Sequence, residues 1–257
     1  DDIVLEDLIE KHKAVVTITH AGYIKRQKLS EYEAQRAGGK GMRALTTKEE
    51  DSIRDLFVSH SHNFVFFFSN QGRLYVKKCY EIPEASKNAK GTNLVNIIEL
   101  QNGEKVTAYL SIEDFKACPY LTMITKNGII KRTLLDAYKN IRKNGVIAIN
   151  LDDDDELAWV KLTSGNDDLL VATKKGMCIR FNENDARPLG RAASGVKAIT
   201  LNSGDEVIGM TIMTEEGKLL TVSETGYGRI SENNNYRTQS RGGKGLKNYH
   251  IDKYGEV

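Results

Sequence analysis

Short runs rich in β-branched and aromatic residues recur along the chain, and each ends at a glycine-containing turn. The runs read AVVTI, FVFFF, LTMI, LLVA and LLTV, and the turns that follow contain Gly22, Gly72, Gly128, Gly176 and Gly226. Glycine supplies the positive φ that a two-residue hairpin turn requires. The five glycines are separated by 50, 56, 48 and 50 residues. The pattern therefore predicts five tight β-hairpins that belong to one internal repeat.

A second glycine lies at a steady distance inside each repeat. It follows the hairpin glycine by 19, 19, 17, 19 and 19 residues, at Gly41, Gly91, Gly145, Gly195 and Gly245. Apolar and polar residues alternate directly after it, most clearly over 93–100, 146–151 and 196–201, which predicts a third strand. An acidic turn comes next (QNGEK, DDDDE or NSGDE), and a fourth strand such as VTAYL, LAWVKL or VIGMTI precedes the following hairpin.

Four strands in each repeat are typical of a propeller-like disc of small sheets. The predicted fold class is all-β, a single domain over 1–257 with approximate blades at 13–58, 64–110, 120–162, 168–213 and 218–257. Helix is expected only in short connectors, first of all over residues 6–11 (EDLIEK). The fifth repeat has its hairpin and its second glycine, and a closed disc is expected to need a further repeat.

Composition excludes several classes of protein. The chain has 257 residues and is 40% hydrophobic, which allows a well-buried core, yet its longest apolar run, Phe64 to Phe68, has only 5 residues. A membrane span needs about 18 or more, so a soluble protein is predicted. The chain begins with Asp1 rather than Met, which favours a piece of a longer protein. Three scattered cysteines indicate neither a disulfide framework nor a CxxC metal site, so a reducing cytoplasm is expected.

Charge is balanced overall but sorted locally. The chain holds 37 Lys and Arg against 35 Asp and Glu; 152–156 are all acidic, whereas 25–43 hold six basic residues against two Glu. Each hairpin ends in one or two basic residues: Lys25 and Arg26, Lys77 and Lys78, Lys131 and Arg132, Arg180, and Arg229. For any single one, a solvated surface is the ordinary alternative. Their recurrence predicts a basic track around the disc for the phosphates of duplex DNA.

Two glycine-rich loops stand at the second-glycine position of the first and fifth repeats. They read QRAGGKG (35–41) and QSRGGKG (239–245). The first is not a nucleotide-binding P-loop, because Gly41 and Met42 follow Lys40 where a Ser or Thr would be needed to hold magnesium. Consecutive glycines allow close backbone approach to a row of phosphates, while Arg36 and Lys40 supply charge. In the middle repeats the corresponding glycine is expected only to permit a tight turn.

The stretch HAGYIKRQKLSEYEAQRAGGKGM, together with the five repeats, resembles the family of DNA gyrase A C-terminal domains. The heptapeptide at its end resembles the gyrase A box, of pattern QRRGGKG. The resemblance covers the whole chain and implies a β-pinwheel, a disc whose neighbouring blades exchange strands. One residue departs from the pattern: Ala37 stands where the family has Arg, although Arg241 fills that place in the fifth repeat. If that Arg contacts one phosphate, its loss lowers the salt slope of binding by roughly 0.9.

The resemblance also implies a function. The domain would bind, bend and wrap double-stranded DNA without reading its sequence, so that the parent type II topoisomerase introduces negative supercoils. Its implied partners are double-stranded DNA, the N-terminal part of gyrase A, and gyrase B, in a heterotetramer of the bacterial cytoplasm that is associated with the nucleoid. No membrane partner is expected, and the isolated domain is expected to be a monomer. Catalysis, ATP and magnesium would belong to the rest of the holoenzyme, so no cofactor is predicted here. The residues predicted to contact DNA are Gln35, Arg36, Gly38, Gly39, Lys40, Gly41, Lys25, Arg26, Lys28, Arg43, Lys77, Lys78, Lys131, Arg132, Arg180, Arg191, Lys197, Arg229, Arg241 and Lys244.

Other interpretations remain open at this point. The corresponding domain of topoisomerase IV resembles the chain in fold, but its box is degenerate or missing. A protein-binding propeller would show exposed aromatic or apolar anchors on a flat face. The acidic run 152–155 is predicted to be a solvated turn rather than a cation site, and His60 and His62 would form at most half of a metal site. No metal-binding residue, catalytic residue or nucleophilic tyrosine is predicted.

Overall fold

The computed structural model describes residues 4–37, 51–116, 118–142 and 144–257, except for the side chains of 35–37. Strands dominate the described residues. They are β1 (Lys13–Thr19), β2 (Tyr23–Lys28), β3 (Ile53–His60), β4 (Phe64–Ser69), β5 (Arg73–Lys78), β6 (Thr92–Asn93), β7 (Val106–Ile112), β8 (Tyr120–Thr125), β9 (Ile129–Leu134), β10 (Val146–Ile147), β11 (Leu157–Thr163), β12 (Asp168–Thr173), β13 (Met177–Asn182), β14 (Val196–Lys197), β15 (Val207–Met213), β16 (Lys218–Val222), β17 (Gly228–Glu232) and β18 (Leu246–Lys247). The α-helices are α1 (Leu29–Ala37) and α2 (Ile251–Tyr254). Short 3₁₀ turns cover Leu5–Leu8, Cys79–Glu81, Leu94–Asn96, Leu135–Tyr138, Glu183–Asp185 and Asn233–Asn235.

The chain divides into two compact bodies. The first comprises Asp1–Phe67, Tyr75–Asp114 and Ile141–Val146, and the second comprises Phe68–Leu74, Phe115–Asn140 and Ile147–Val257. The first body contains the sheet β3-β1-β2-β6, and its core includes the fully buried Val16, Phe67 and Tyr75. The second body contains the sheets β11-β8-β9-β14 and β15-β12-β13-β18 and the hairpin β16-β17, and its largest core cluster includes Leu169 and Phe181.

Each four-stranded sheet combines strands of two consecutive repeats. In the sheet β11-β8-β9-β14, the hairpin and the long strand β11 come from the third repeat, whereas β14 comes from the fourth. β14 is held to β9 through the pairs Val196↔Ile130 and Lys197↔Ile129. The sheets β3-β1-β2-β6, β10-β5-β4-β7 and β15-β12-β13-β18 are assembled in the same way. The predicted all-β fold, with strands exchanged between neighbouring blades, is therefore confirmed.

The predicted hairpins are confirmed as well. All five hairpin glycines have φ between 77° and 87°, and each lies between two antiparallel strands of five to seven residues. The fourth strands also lie where the sequence predicts them, at β7, β11 and β15.

The predicted third strands are wrong in length. Only two residues pair in each case: Thr92–Asn93, Val146–Ile147 and Val196–Lys197. The residues that follow turn beneath a hairpin, where the Ala198 N–H donates to the Gly128 carbonyl at 2.8 Å. Ala198 and Ile199 are buried there, so the apolar alternation reflects packing under the turn rather than a continuing ladder.

The helical connectors also differ from the prediction. The connector predicted over residues 6–11 is helical only as a 3₁₀ turn over Leu5–Leu8; it ends there because Ile9 is extended and its carbonyl accepts a bond from the His62 ring at 2.9 Å. A nine-residue helix, α1, forms instead after β2, in a segment rich in helix-favouring Leu, Glu, Ala and Gln. No helix in the described part of the chain is long and apolar enough to cross a membrane.

In three repeats, an aspartate that lies two residues before the fourth strand supports the hairpin. The Oδ1 atoms of Asp51, Asp155 and Asp205 accept the backbone N–H of Ala21, Asn127 and Lys175 at 2.9, 3.0 and 2.9 Å. The prediction that 152–155 are a solvated turn is therefore correct only for the exposed residues 152–154, because Asp155 is buried.

Candidate nucleic-acid interface

Three of the four arginines at the hairpin ends, Arg26, Arg132 and Arg180, point into the protein, whereas Arg229 is exposed. Arg26 and Arg132 are 8% and 3% exposed, and their Nε atoms donate to the carbonyls of Ile82 and Ala186, each at 2.9 Å. Arg180 is half-buried, and its Nη1 donates to the carbonyl of Tyr236 at 3.2 Å. Each of these arginines therefore binds backbone of the repeat that follows its own.

The lysines beside two of these arginines are used in the same way. Lys25 Nζ donates to the carbonyls of Lys87 and Ala89 at 2.8 and 3.1 Å. Lys131 is fully buried, and its Nζ donates to the carbonyls of Ala148 and Arg191. Burial away from water disfavours the charged amine and lowers the pKa of Lys131 to about 7, with a further contribution from the positive charge of Arg191.

Arg132 also forms a buried ion pair. Its Nη1 lies 2.8 Å from Glu183 Oε1, and the exposed fractions of the two side chains are 3% and 0%. Glu183 Oε2 accepts the backbone N–H of Asp167 at 2.8 Å, and the guanidinium lies over the Tyr120 ring at 4.3 Å. Removing the arginine would leave the buried Glu183 carboxylate without a compensating charge, which would destabilise the fold.

The predicted contacts of Arg26, Lys131 and Arg132 with phosphate stay predictions, and the burial of these side chains counts against them. A side chain without access to solvent cannot reach a DNA backbone, and its donors are already bound to carbonyls of this chain. The sequence pattern missed this because a basic residue at a strand end has the same appearance whether it faces water or a neighbouring loop.

Other predicted residues at the hairpin ends keep access to solvent but have acidic or carbonyl partners. Lys28 and Lys78 lie 3.0 Å from Glu10 and Glu6, which belong to the segment before β1. Lys77 forms an ion pair with Glu81 at 3.5 Å, and Arg229 Nη1 donates to the Asn248 carbonyl at 2.7 Å.

Exposed basic side chains concentrate instead in the loops that lead to and follow each second glycine, here called the second-glycine loops (82–93, 136–147, 186–197 and 236–247). Arg191, Lys197 and Lys244 were predicted from the sequence, and all three are exposed. The sequence prediction missed Lys87, Lys90, Lys139, Arg142, Arg187, Arg237 and Lys247, all of which are exposed as well. The signal was present, because these residues recur at matching distances from the hairpin glycines: Arg187 and Arg237, for example, each follow theirs by 11.

In the second body, a repeated hydrogen bond joins the segment just after one second-glycine loop to the next loop. The Asn150 N–H donates to the Ala193 carbonyl at 3.0 Å, and the Thr200 N–H donates to the Gly243 carbonyl at 2.8 Å. The two donors each lie five residues after a second glycine, and the two acceptors each lie two residues before the next one. Within the second body, these bonds hold the end of one loop beside the next, so the exposed Lys197 and Lys244 lie on neighbouring loops.

The glycine-rich loop of the fifth repeat shows what its residues do. The donors of Arg241 are engaged within the chain: Nη1 bonds the Lys197 carbonyl at 2.7 Å and Nε bonds the Asp185 carbonyl at 3.1 Å. Lys244, in contrast, is exposed. Gly245 has φ +76°, and a Cβ there would lie 2.1 Å from the Cys178 carbonyl oxygen, so only glycine fits. In this loop Arg241 fastens the backbone and Lys244 is the side chain presented to solvent.

The first copy of the loop is mostly outside the described residues. Gly38, Gly39, Lys40, Gly41 and Arg43 are not described, and Gln35 and Arg36 are described only as the last turn of α1. Their predicted contacts with DNA stay predictions.

The two histidines are bound within the protein. His62 Nε2 bonds the Ile9 carbonyl at 2.9 Å, its Nδ1 lies 3.4 Å from Glu6 Oε1, and its ring lies 6.3 Å from that of His60. No group of three or more metal-binding side chains occurs among the described residues.

Repeated four-stranded sheets, exchanged edge strands and a surface of basic loops define a propeller-type domain suited to binding a polyanion. The family model described as the DNA gyrase C-terminal domain, a β-propeller, matches residues 13–60, 63–112, 119–164, 167–212 and 217–257. The chain therefore belongs to the DNA gyrase C-terminal domain family.

Individual relatives agree with this assignment. DNA gyrase A of Clostridium acetobutylicum is 54% identical over 258 residues, which is 100% of this chain and 31% of the relative. That of Streptomyces coelicolor is 42% identical over 96% of this chain and 30% of the relative. The chain thus spans about a third of the length of the curated relatives it matches.

Solved structures show the same fold. A DNA gyrase A C-terminal domain is 29% identical with a TM-score of 0.74, covering 96% of this chain and 81% of that one. The C-terminal domain of a DNA topoisomerase IV is 26% identical with a TM-score of 0.78, covering 93% and 73%. Both curated relatives are gyrase proteins, which favours gyrase over the topoisomerase IV alternative.

Proposed function

We propose that this chain binds double-stranded DNA without reading its sequence, through the exposed basic residues of its second-glycine loops, and bends the duplex along them. The observation that carries the proposal is the bonding between consecutive repeats, which holds the exposed Lys197 and Lys244 on neighbouring loops. Phosphates are evenly spaced and identical, so a repeated basic loop matches them without recognising bases.

The energy of binding comes from counterion release. Each neutralised phosphate contributes about 0.9 to the slope of log affinity against log salt, so 6–10 contacts would weaken binding by roughly 10³ to 10⁵ between 50 and 200 mM salt. Bending a site of 20–30 base pairs costs of order 1–6 kcal/mol, which the same contacts must offset. The charge of the loops is thus required both for affinity and for curvature.

In the longer protein this domain would serve a type II topoisomerase. We infer that wrapping sets the direction in which the parent gyrase passes a duplex segment, and so introduces negative supercoils. The N-terminal part of gyrase A, and gyrase B, would be its partners in the bacterial cytoplasm. ATP and magnesium would be used by those parts, with no cofactor in this domain.

The test is duplex binding measured across a salt series. The double variant Lys197→Ala, Lys244→Ala should lower the slope by about 1.8, or 0.9 for each lysine. Lys161→Ala is the matched control, because Lys161 is an exposed lysine on β11, outside the loops. A double variant with an unchanged slope, or a control that loses as much per lysine, would refute the assignment of the interface.

Wrapping needs a second measurement. The chain is bound to relaxed circular plasmid, the complex is treated with a nicking-closing enzyme, and the superhelical turns left after protein removal are counted. Trapped turns that disappear at high salt support wrapping. Tight binding without trapped turns would limit the function to DNA binding.

A further inference from the structure

The basic residues at the hairpin ends occupy one register of the repeat. Arg26, Arg132 and Arg180 each follow the hairpin glycine by four residues, and Lys25 and Lys131 follow it by three. Their partners also share a register: Ile82, Ala186 and Tyr236 each lie ten residues after the next hairpin glycine.

The backbone of each arginine repeats the pattern. The N–H groups of Ala85, Leu189 and Gln239, again at one register, donate to the carbonyls of Arg26, Arg132 and Arg180 at 3.1, 2.7 and 2.7 Å. Side chain and main chain of one arginine thus hold the same stretch of the following repeat. That stretch leads into the second-glycine loop.

The two lysines reach further along the same loop. The carbonyls of Lys87 and Arg191, which accept from Lys25 and Lys131, lie 15 residues after their hairpin glycines. Lys87 and Arg191 themselves carry exposed basic side chains. In both cases, the amino group of a hairpin-end lysine binds the main chain of a residue whose own basic side chain faces solvent.

We propose that these hairpin-end residues are positioning residues, which set the geometry of the basic loops and so control how far bound DNA is bent rather than how many phosphates are contacted. The inference rests on the proposed function. It assigns two tasks to the basic residues of the repeat. The hairpin-end residues hold the loop in position, and the exposed residues of the loop bind the phosphates.

Arg180 is the position at which this can be tested without leaving a fully buried carboxylate unpaired. Its Nε donates to Asp168 Oδ2 at 2.9 Å and its Nη1 to the Asn233 carbonyl at 3.0 Å, so one planar guanidinium joins β12 to the next repeat. Asp168 keeps bonds from Asn182 and from the Thr238 hydroxyl when Arg180 is changed. An ammonium group is a compact point charge that cannot reproduce this planar fork, so Arg180→Lys should also impair the fastening.

The experiment compares Arg180→Gln, Arg180→Lys and the unchanged 257-residue chain. We expect an unchanged salt slope, fewer trapped turns on plasmid DNA, and roughly tenfold faster hydrogen exchange at the Gln239 amide, which bonds the Arg180 carbonyl. If Arg180→Gln does not fold, Arg180→Lys supplies the same readouts. Lys244→Ala is the comparison: its slope should fall by about 0.9 with no change in exchange at Gln239.

Two results would overturn the inference. A slope that falls by about 0.9 in Arg180→Gln would make Arg180 a phosphate contact, and unchanged exchange at Gln239 with unchanged trapped turns would remove the fastening role. If the unchanged chain binds no DNA, the proposed function fails and the link to bending fails with it. The exchange data would then still decide whether Arg180 fastens the loop.

Discussion

Replacing Gly195 by Ala should weaken the pairing of one exchanged strand, β14, with its neighbour β9. Gly195 has φ +93°, and a Cβ at this position would lie 2.5 Å from the Ile130 carbonyl oxygen and 3.1 Å from Ile129 Cγ2. The next two residues form β14, the strand contributed to the preceding sheet. A methyl group at Gly195 must therefore push β14 away from β9.

The magnitude has two parts. Alanine at a left-handed φ costs about 1–2 kcal/mol wherever it occurs. Relief of the clash also weakens the pairs Val196↔Ile130 and Lys197↔Ile129 and the bond from the Ala198 N–H to Gly128, each worth about 1 kcal/mol. The expected loss in the free energy of unfolding is therefore about 2–5 kcal/mol.

Gly226→Ala provides the control. Gly226 has φ +87°, nearly the same strain, but nothing lies within 4 Å of the position that a Cβ would occupy there. Thermal unfolding followed by circular dichroism should place Gly195→Ala roughly 5 °C below Gly226→Ala, since 1 kcal/mol shifts Tm by about 2–4 °C in a domain of this size. Equal Tm values for the two variants would show that close backbone approach at the second glycine contributes nothing.

Three further predictions concern charge. Burial lowers the pKa of Lys131 to about 7, so the unfolded chain binds more protons than the folded chain between pH 7 and 10.5, and stability should rise with pH in that window by up to roughly 1.4 kcal/mol per pH unit. Denaturant titrations of Lys131→Met should lack this rise. Stability profiles of the variant and the unchanged chain that run parallel with pH would contradict the prediction. Glu6→Gln should free Lys78 from its ion pair and steepen the salt slope of DNA binding by up to about 0.9, while an unchanged slope would exclude Lys78 from the interface. Arg132→Met should lower the free energy of unfolding by about 3–5 kcal/mol, because it leaves the Glu183 carboxylate buried and unpaired. The double variant Arg132→Met, Glu183→Leu should regain most of that stability. A double variant as unstable as the single one would refute this account.

The repeat itself was predictable from local chemistry. A hairpin turn needs positive φ, and a strand needs residues that tolerate a pleated, half-buried surface, so Gly128 within LTMITKNGIIKR already determines a hairpin. The same reasoning identified the second glycines but not why they are glycines. At Gly245 the reason is the Cys178 carbonyl, which lies 67 residues earlier in the chain and belongs to the strand that β18 joins.

The number of repeats, the hairpins and the long fourth strands followed from the amino-acid sequence alone. Each of these depends on a few consecutive residues. Which basic residues face water depends on the packing of the folded chain: Arg132 and Arg191 carry the same charge, yet Arg132 is buried against Glu183 and Arg191 is exposed. That difference arises from contacts between consecutive repeats, which lie about 50 residues apart in the chain. A basic side chain is buried where acceptors of the neighbouring repeat bind it, and it stays exposed where they do not.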